Sequence, residues 1–195
     1  MHTLITHGKI VPVILLASSF LLCASGSVWA EDCDDSSCKV EVQFHGTYVQ
    51  DTCDISINNG SSSELVVLPT LSTAGLQQDG NEAGSRVFDI KLKGCPAGKT
   101  VMLQFASGVS EADVQTGNLV NATGSGYSSN VQIRIRKSNN DQMKIDDINT
   151  MQDYVIDNAG SDVTHSFLSS YYAKGANKVT AGLVHATASI ELYYK

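Results

Sequence analysis

The last dozen residues alternate with a period of two: Val184, Ala186, Ala188, Ile190, Leu192 and Tyr194 are separated by His185, Thr187, Ser189, Glu191, Tyr193 and Lys195. Successive side chains of a strand point to opposite faces, so this run calls for an extended chain with one apolar face and argues against a helix over the same stretch. Shorter runs precede it. Val40, Val42 and Phe44 alternate with Lys39, Glu41, Gln43 and His45, and further alternating or apolar runs cover 48–57, 65–68, 87–92, 101–105, 131–135 and 167–173. Between them lie turn-forming clusters such as Asn58-Asn59-Gly60-Ser61, Asp79-Gly80-Asn81, Gly94-Cys95-Pro96-Ala97-Gly98 and Gly124-Ser125-Gly126. Glycine contributes positive φ there, and Asn and Asp bond to their own backbone. About seven or eight short strands without a long helical pattern predict an all-β fold, a β-sandwich of immunoglobulin-like type. No internal repeat or interior linker divides it.

Residues 1–30 read as a signal peptide. Lys9 precedes an apolar run from Ile10 to Cys23, and small residues end at Val28-Trp29-Ala30. The run is too short to be a preferred membrane span. Of the 13 basic residues only Lys9 falls in this segment, so the mature chain carries 12 basic against 20 acidic side chains, a formal charge of −8. With no Lys/Arg run, such a chain is a poor partner for nucleic acid or anionic lipid.

Cys23 leaves with the signal peptide, and Cys33, Cys38, Cys53 and Cys95 remain for an oxidising compartment. Three pairings are possible, and local spacing favours Cys33 with Cys38 and Cys53 with Cys95. None of these cysteines sits in a Cys-x-x-Cys redox pattern. The histidines His45, His165 and His185 lack metal-ligand spacing. Asp162, His165 and Ser166 share one short segment, which is too local to converge as orienter, base and nucleophile. Asp141, Asp146 and Asp147 lack a calcium-loop pattern and are expected in a solvated turn. In the pairs Tyr171-Tyr172 and Tyr193-Tyr194, alternation sends one ring inward and the other out. No enzyme activity, cofactor or metal is expected.

Several of these segments resemble the subunits of type 1 and related chaperone-usher fimbriae. The matching pieces are Val42-Gln43-Phe44-His45-Gly46 with Cys53 seven residues on, Phe88-Asp89-Ile90-Lys91-Leu92-Lys93-Gly94-Cys95, Asn130-Val131-Gln132-Ile133-Arg134-Ile135, and the C-terminal stretch from Val179 to Lys195 with its penultimate tyrosine. The resemblance implies an incomplete immunoglobulin-like β-sandwich (pilin fold) completed by a donor strand from another molecule. It divides the chain into a signal peptide (1–30), an N-terminal donor-strand arm (31–45) and a pilin domain (46–195).

Carried onto this sequence, Val40, Val42 and Phe44 are the donor residues. Val184, Ala186, Ala188, Ile190, Leu192, Tyr194 and Lys195 form the acceptor groove and the strand held by a periplasmic pilus chaperone. The implied function is a structural fimbrial subunit that polymerises by donor-strand exchange and contributes to bacterial cell adhesion. Its implied partners are the chaperone, an outer-membrane usher and neighbouring subunits. Its implied route runs through the periplasm to the cell-surface fimbrium. The alternative is a minor adaptor or terminator subunit, or an adhesin that binds a host receptor. Counting back by twos from Phe44, the inward arm positions are Val42, Val40 and Cys38, and a Cys33–Cys38 bridge would close a small loop at the arm's tip.

Overall fold

The computed structural model describes residues 52–195; the expected signal peptide, the arm, and with them Cys33, Cys38, Val40, Val42 and Phe44 lie outside the described residues. Nine strands follow in order: β1 (Asp54–Ile57), β2 (Glu82–Lys93), β3 (Thr100–Ala106), β4 (Leu119–Val120), β5 (Val131–Lys137), β6 (Gln142–Met143), β7 (Gln152–Val155), β8 (Val163–Ala173) and β9 (Ser189–Tyr194). Two 3-10 turns, Thr73–Leu76 and Ile148–Thr150, are the described helical pieces. The first sheet runs β1-β2-β8-β5-β4 with β6 also on β5, and the second runs β7-β3-β9. Every strand pair is antiparallel.

Alternation decides which side chains meet between the sheets. Phe88, Ile90 and Leu92 of β2, Ile133 and Ile135 of β5 and Phe167 of β8 face Val101, Leu103 and Phe105 of β3 in one core. Phe105 meets Phe167 edge-on at 5.5 Å between ring centroids, and Phe88 lies against Phe167 at 5.7 Å, so the three rings knit the two layers. The fully buried Tyr154 of β7 donates its hydroxyl hydrogen to the Ile90 carbonyl at 3.1 Å, tying the second sheet to the first. Cys53 is joined to Cys95 across a sequence separation of 42, which in the chain-entropy model contributes ~4 kcal/mol by restricting the unfolded chain.

Two sequence expectations need correction. The run 65–68 joins no ladder, and the C-terminal run enters a ladder only at Ser189. Before that point its neighbours are loops rather than a strand. His185 donates its N–H to Asn121 Oδ1 (2.7 Å) and accepts at its carbonyl from Ala122 (3.0 Å), while Thr187 donates its N–H to Ser110 Oγ (3.0 Å). Gly182 allows this docking, because a Cβ there would stand 2.5 Å from the Ser128 backbone nitrogen.

The outer face of the first sheet is covered by a connected polar network. Lys174 pairs with Asp113, whose Oδ2 also accepts from Gln132 (2.9 Å). Asn118 donates to Gln132 (2.9 Å) and accepts from Arg134 Nε (3.0 Å), and Arg134 (2.6 Å) and Arg136 both hold Glu82. Burial opposes ionisation of Asp113 and Glu82. Lys174, the Thr116 and Gln115 N–H groups and Gln132 outweigh it at Asp113, as the two arginines do at Glu82, and both carboxyls sit below their ordinary values. Burial also lowers the pKa of His165, which packs edge-on against Tyr154 at 4.5 Å.

The signs agree. A group with a depressed folded pKa contributes stability above its unfolded value and loses it as pH falls toward the folded one. Thermal melts should therefore show one loss of stability on acidification below the ordinary histidine range, near pH 6.5, and a second below about pH 4. His165→Gln should flatten the first step alone, and a variant that kept it unchanged would locate it at another group.

Candidate functional site: an open groove between the sheets

The last strand has a neighbour on one side only. β9 pairs with β3 from Val101↔Tyr194 to Ala106↔Ser189, and among the described residues its other edge has no strand beside it. Where a second neighbour would stand, the space between the sheets opens into a groove of about 440 Å³. Phe88, Ile90, Phe105, Leu119, Ile133 and Ile135 form its apolar floor. One lip carries Val184, Ala186, Ala188 and Ile190, and the other carries Ile55 and Ile57 of β1 with Leu65, Val66 and Leu68 of the segment beyond it.

Both lips are unfinished in the same sense. Val101 and Leu103 on β3 are 0% exposed, yet Val184, Ala186, Ala188, Ile190 and Leu192, which pack on the same core, are only half-buried. On the opposite lip Leu65 is 75% exposed and Val67 63%. The backbone of residues 64–68 makes no hydrogen bond to another described backbone group. Unpaired N–H and C=O groups beside uncovered apolar side chains are the conditions under which a sheet edge captures another strand. The turn before this lip is held by Glu64, whose Oε1 accepts from the Ser61 N–H (2.8 Å) and hydroxyl (3.0 Å), hydrogen bonds that lower its pKa.

Not all of the expected acceptor residues line the groove. Val184, Ala186, Ala188 and Ile190 do, whereas Leu192 lies beyond its end. Tyr194 is 42% exposed and its hydroxyl accepts a hydrogen bond from the Cys53 N–H at 2.8 Å. Lys195 is exposed and donates its backbone N–H to the Thr100 carbonyl at 2.9 Å. The floor residues and the 62–68 lip were absent from the sequence-based site; the signal for the lip was the apolar run at 65–68, which fitted an ordinary strand equally well.

The residues weighed for chemistry are dispersed. Ser166 donates its hydroxyl to Asp89 at 2.6 Å on the outer face, while His165 points to the opposite face against Tyr154, so no triad forms with Asp162. Asp146 accepts from the Ser107 N–H (2.8 Å) and Asp147 caps the turn Ile148–Thr150. Among the described residues no cluster of His, Cys, Asp or Glu is arranged to hold a metal ion. Tyr172 lies on the outer face under the Arg134 guanidinium, 3.9 Å from its ring centroid.

The family model described as Fimbrial protein matches residues 42–195. The major fimbrial subunit of Haemophilus influenzae is 32% identical over 157 residues, covering 75% of this chain and 72% of that one. The major fimbrial subunit SMF-1 of Stenotrophomonas maltophilia is 36% identical over 104 residues, covering 53% of this chain and 60% of that subunit, so the chain spans less than two thirds of this relative. Among solved structures, the P pilus rod subunit PapA superimposes with a TM-score of 0.57 at 18% identity, covering 73% of this chain and 99% of that one. A chaperone-usher pilus structure gives a TM-score of 0.57 at 20% identity, covering 80% and 96%.

Proposed function

Because this chain belongs to the fimbrial protein family, we propose that it is a structural subunit of a chaperone-usher fimbria whose open groove receives the N-terminal arm of a neighbouring subunit. The observation that carries this is the row Val184 to Leu192, left half-buried although Val101, Leu103 and Phe105 of the neighbouring β3 on the same core are buried. An inserted strand would pair with β9 on one side and with residues 64–68 on the other, completing both lips at once. The incoming residues are Val40, Val42 and Phe44, whose burial contributes ~5 to 8 kcal/mol gross, and each ladder hydrogen bond adds about 0.5 to 1.5 kcal/mol net.

Before assembly, an edge this apolar needs a cover, and a periplasmic chaperone that lends a strand to β9 supplies it; an outer-membrane usher is then the place of exchange. Residues 1–30 direct export, residues 31–45 are the donor arm and residues 46–195 are the pilin domain. The family and the fold are those of structural pilus subunits rather than enzymes. The relatives reported above are major subunits, which favours a fibre-building role over an adaptor, a terminator or a receptor-binding adhesin.

A synthetic peptide of residues 39–45 tests the groove directly. Added in excess to the refolded chain, it should raise the melting temperature by roughly 10 °C, the shift expected if about 4 kcal/mol of binding survives the cost of ordering the peptide. A peptide of the same composition with the alternation scrambled should not. Equal shifts from both peptides would sink the strand-capture reading.

A further inference from the structure

β3 ends at Ala106, and with it the ladder that holds β9, yet the strand pattern continues beyond it. From Val184 to Leu192 every even-numbered side chain is half-buried and every odd-numbered one exposed, on both sides of the point where the ladder begins at Ser189. The backbone keeps the same parity. Lys195 donates to the Thr100 carbonyl (2.9 Å), so odd-numbered residues turn their N–H and C=O groups toward β3 and even-numbered ones turn theirs toward the open groove. Where β3 is missing, the odd-numbered groups find other partners. Thr187 donates its N–H to Ser110 Oγ (3.0 Å) and His185 to Asn121 Oδ1 (2.7 Å). Leu183 donates to the Gly126 carbonyl (2.8 Å) and accepts from the Ser128 N–H (2.9 Å). Asn121 Nδ2 donates in turn to the carbonyls of Ser128 (2.7 Å) and Leu183 (3.2 Å). Asn121 and Ser110 are both buried, although the segment they hold lies at the surface.

We infer that Asn121 and Ser110 are positioning residues for strand capture: their side chains replace the missing continuation of β3 and hold residues 184–188 as a ready edge for the donor. The inference rests on the donor-strand reading of the groove. A primary amide carries the same acceptor and donor as a peptide unit, so Asn121 supplies a rung of ladder with no strand behind it. The groove side of this segment is bare until a donor arrives, so its order depends on the other side alone. A residue left loose there has to be ordered at the moment of capture, which lowers the affinity roughly tenfold for each such residue. Neither side chain lines the groove, and both act through the lip they hold.

The experiment compares the full chain with two variants. Ser110→Ala removes the hydroxyl that holds Thr187, and Ser166→Ala removes a hydroxyl bonded to Asp89 on the outer face of the first sheet. The probe is the peptide of residues 39–45, and the dissociation constant is read beside the melting temperature of the chain without peptide. Ser110→Ala should weaken binding roughly tenfold, whereas Ser166→Ala should leave it unchanged, whatever either does to the melting temperature. Equal affinity of Ser110→Ala and the wild-type chain overturns the inference while strand capture stands. An equal loss in both variants also overturns it, since binding would then follow stability and not position. Failure of the wild-type chain to bind overturns strand capture itself, and the inference with it.

A measurement without any variant stands beside these. In the chain without peptide, the amides of His185 and Thr187 should exchange hydrogen more slowly than those of Ala186 and Ala188, an alternation set by the two side-chain bonds. Equal rates at all four would remove the held edge on which the inference depends.

Discussion

A chain lacking Glu31 to Phe44 is expected to accept a neighbour's arm and yet add no further subunit, so that it ends any fibre it enters. The core that shapes the groove is built from residues between Cys53 and Phe167, and the lip residues from Val184 to Leu192 pack on it, all of which the deletion leaves in place. What the deletion removes is Val40, Val42 and Phe44, the donor residues of the proposed joint, with the ladder bonds that joint would have. That is about 5 to 8 kcal/mol of gross apolar burial, and a loss of this size lowers the population of joined subunits by several powers of ten. Mixed with intact chain at equal amounts, the truncated form should shorten fibres seen by electron microscopy. Fibres of undiminished length and mass containing the truncated chain would show that the donor lies elsewhere in the sequence.

Ile190→Asp attacks the same joint from the receiving side. Ile190 pairs with the inward-facing Phe105 and lines the groove, half-buried as long as no strand covers it. In the uncovered chain an aspartate there keeps contact with water, so the variant is expected to fold. Once a donor strand closes over the position, the carboxylate loses that water with no cation among the groove-lining residues. The joint then forfeits the apolar gain of the isoleucine, about 1.5 to 3 kcal/mol, and bears the desolvation of a charge, which adds several kcal/mol more. Capture of the arm should fall by at least about a thousandfold, measured as fibre yield or as the melting shift given by the arm peptide. Glu191→Asp, on the exposed face of the same strand, should assemble normally. If both variants assembled alike, the groove would not be the joint.

Much of the sandwich is legible in the sequence because period-two alternation reports directly which side of a strand is buried. The pairs Val101 and Leu103, Phe88 and Ile90, and Ile133 and Ile135 all obey it, and all face the core. Local spacing was likewise enough to join Cys53 to Cys95. Alternation is silent on what lies beside a strand. It therefore marked residues 184–188 as a strand although they are in no ladder, because a half-buried groove lip and a half-buried strand carry the same pattern; the unbroken apolar run 65–68 also reads as a strand and is in no ladder.

The floor of the groove was hidden for another reason. Leu119 and Phe105 reach it from strands distant in sequence, and only the sheet order β7-β3-β9 reveals which edge is left bare. The bond between Tyr194 and Cys53 spans 141 residues, beyond the reach of any local motif. The polar cover formed by Glu82, Asp113, Gln132 and Arg134 is of the same kind, since its members come from three separate parts of the chain.

The Cys53–Cys95 bond also decides where a pulling force would travel. On the donor-strand reading proposed above, a fibre loaded along its length would draw on each subunit through the chain that precedes Cys53. At that residue the load meets a covalent cross-link to the far end of β2, so it passes into a strand of twelve residues flanked on both sides. The four-residue β1 hangs beyond the junction and is spared being unzipped one rung at a time. The domain would then be gripped at an interior strand of its first sheet, and resistance to stretching set by shear between long strands rather than by peeling of a short one.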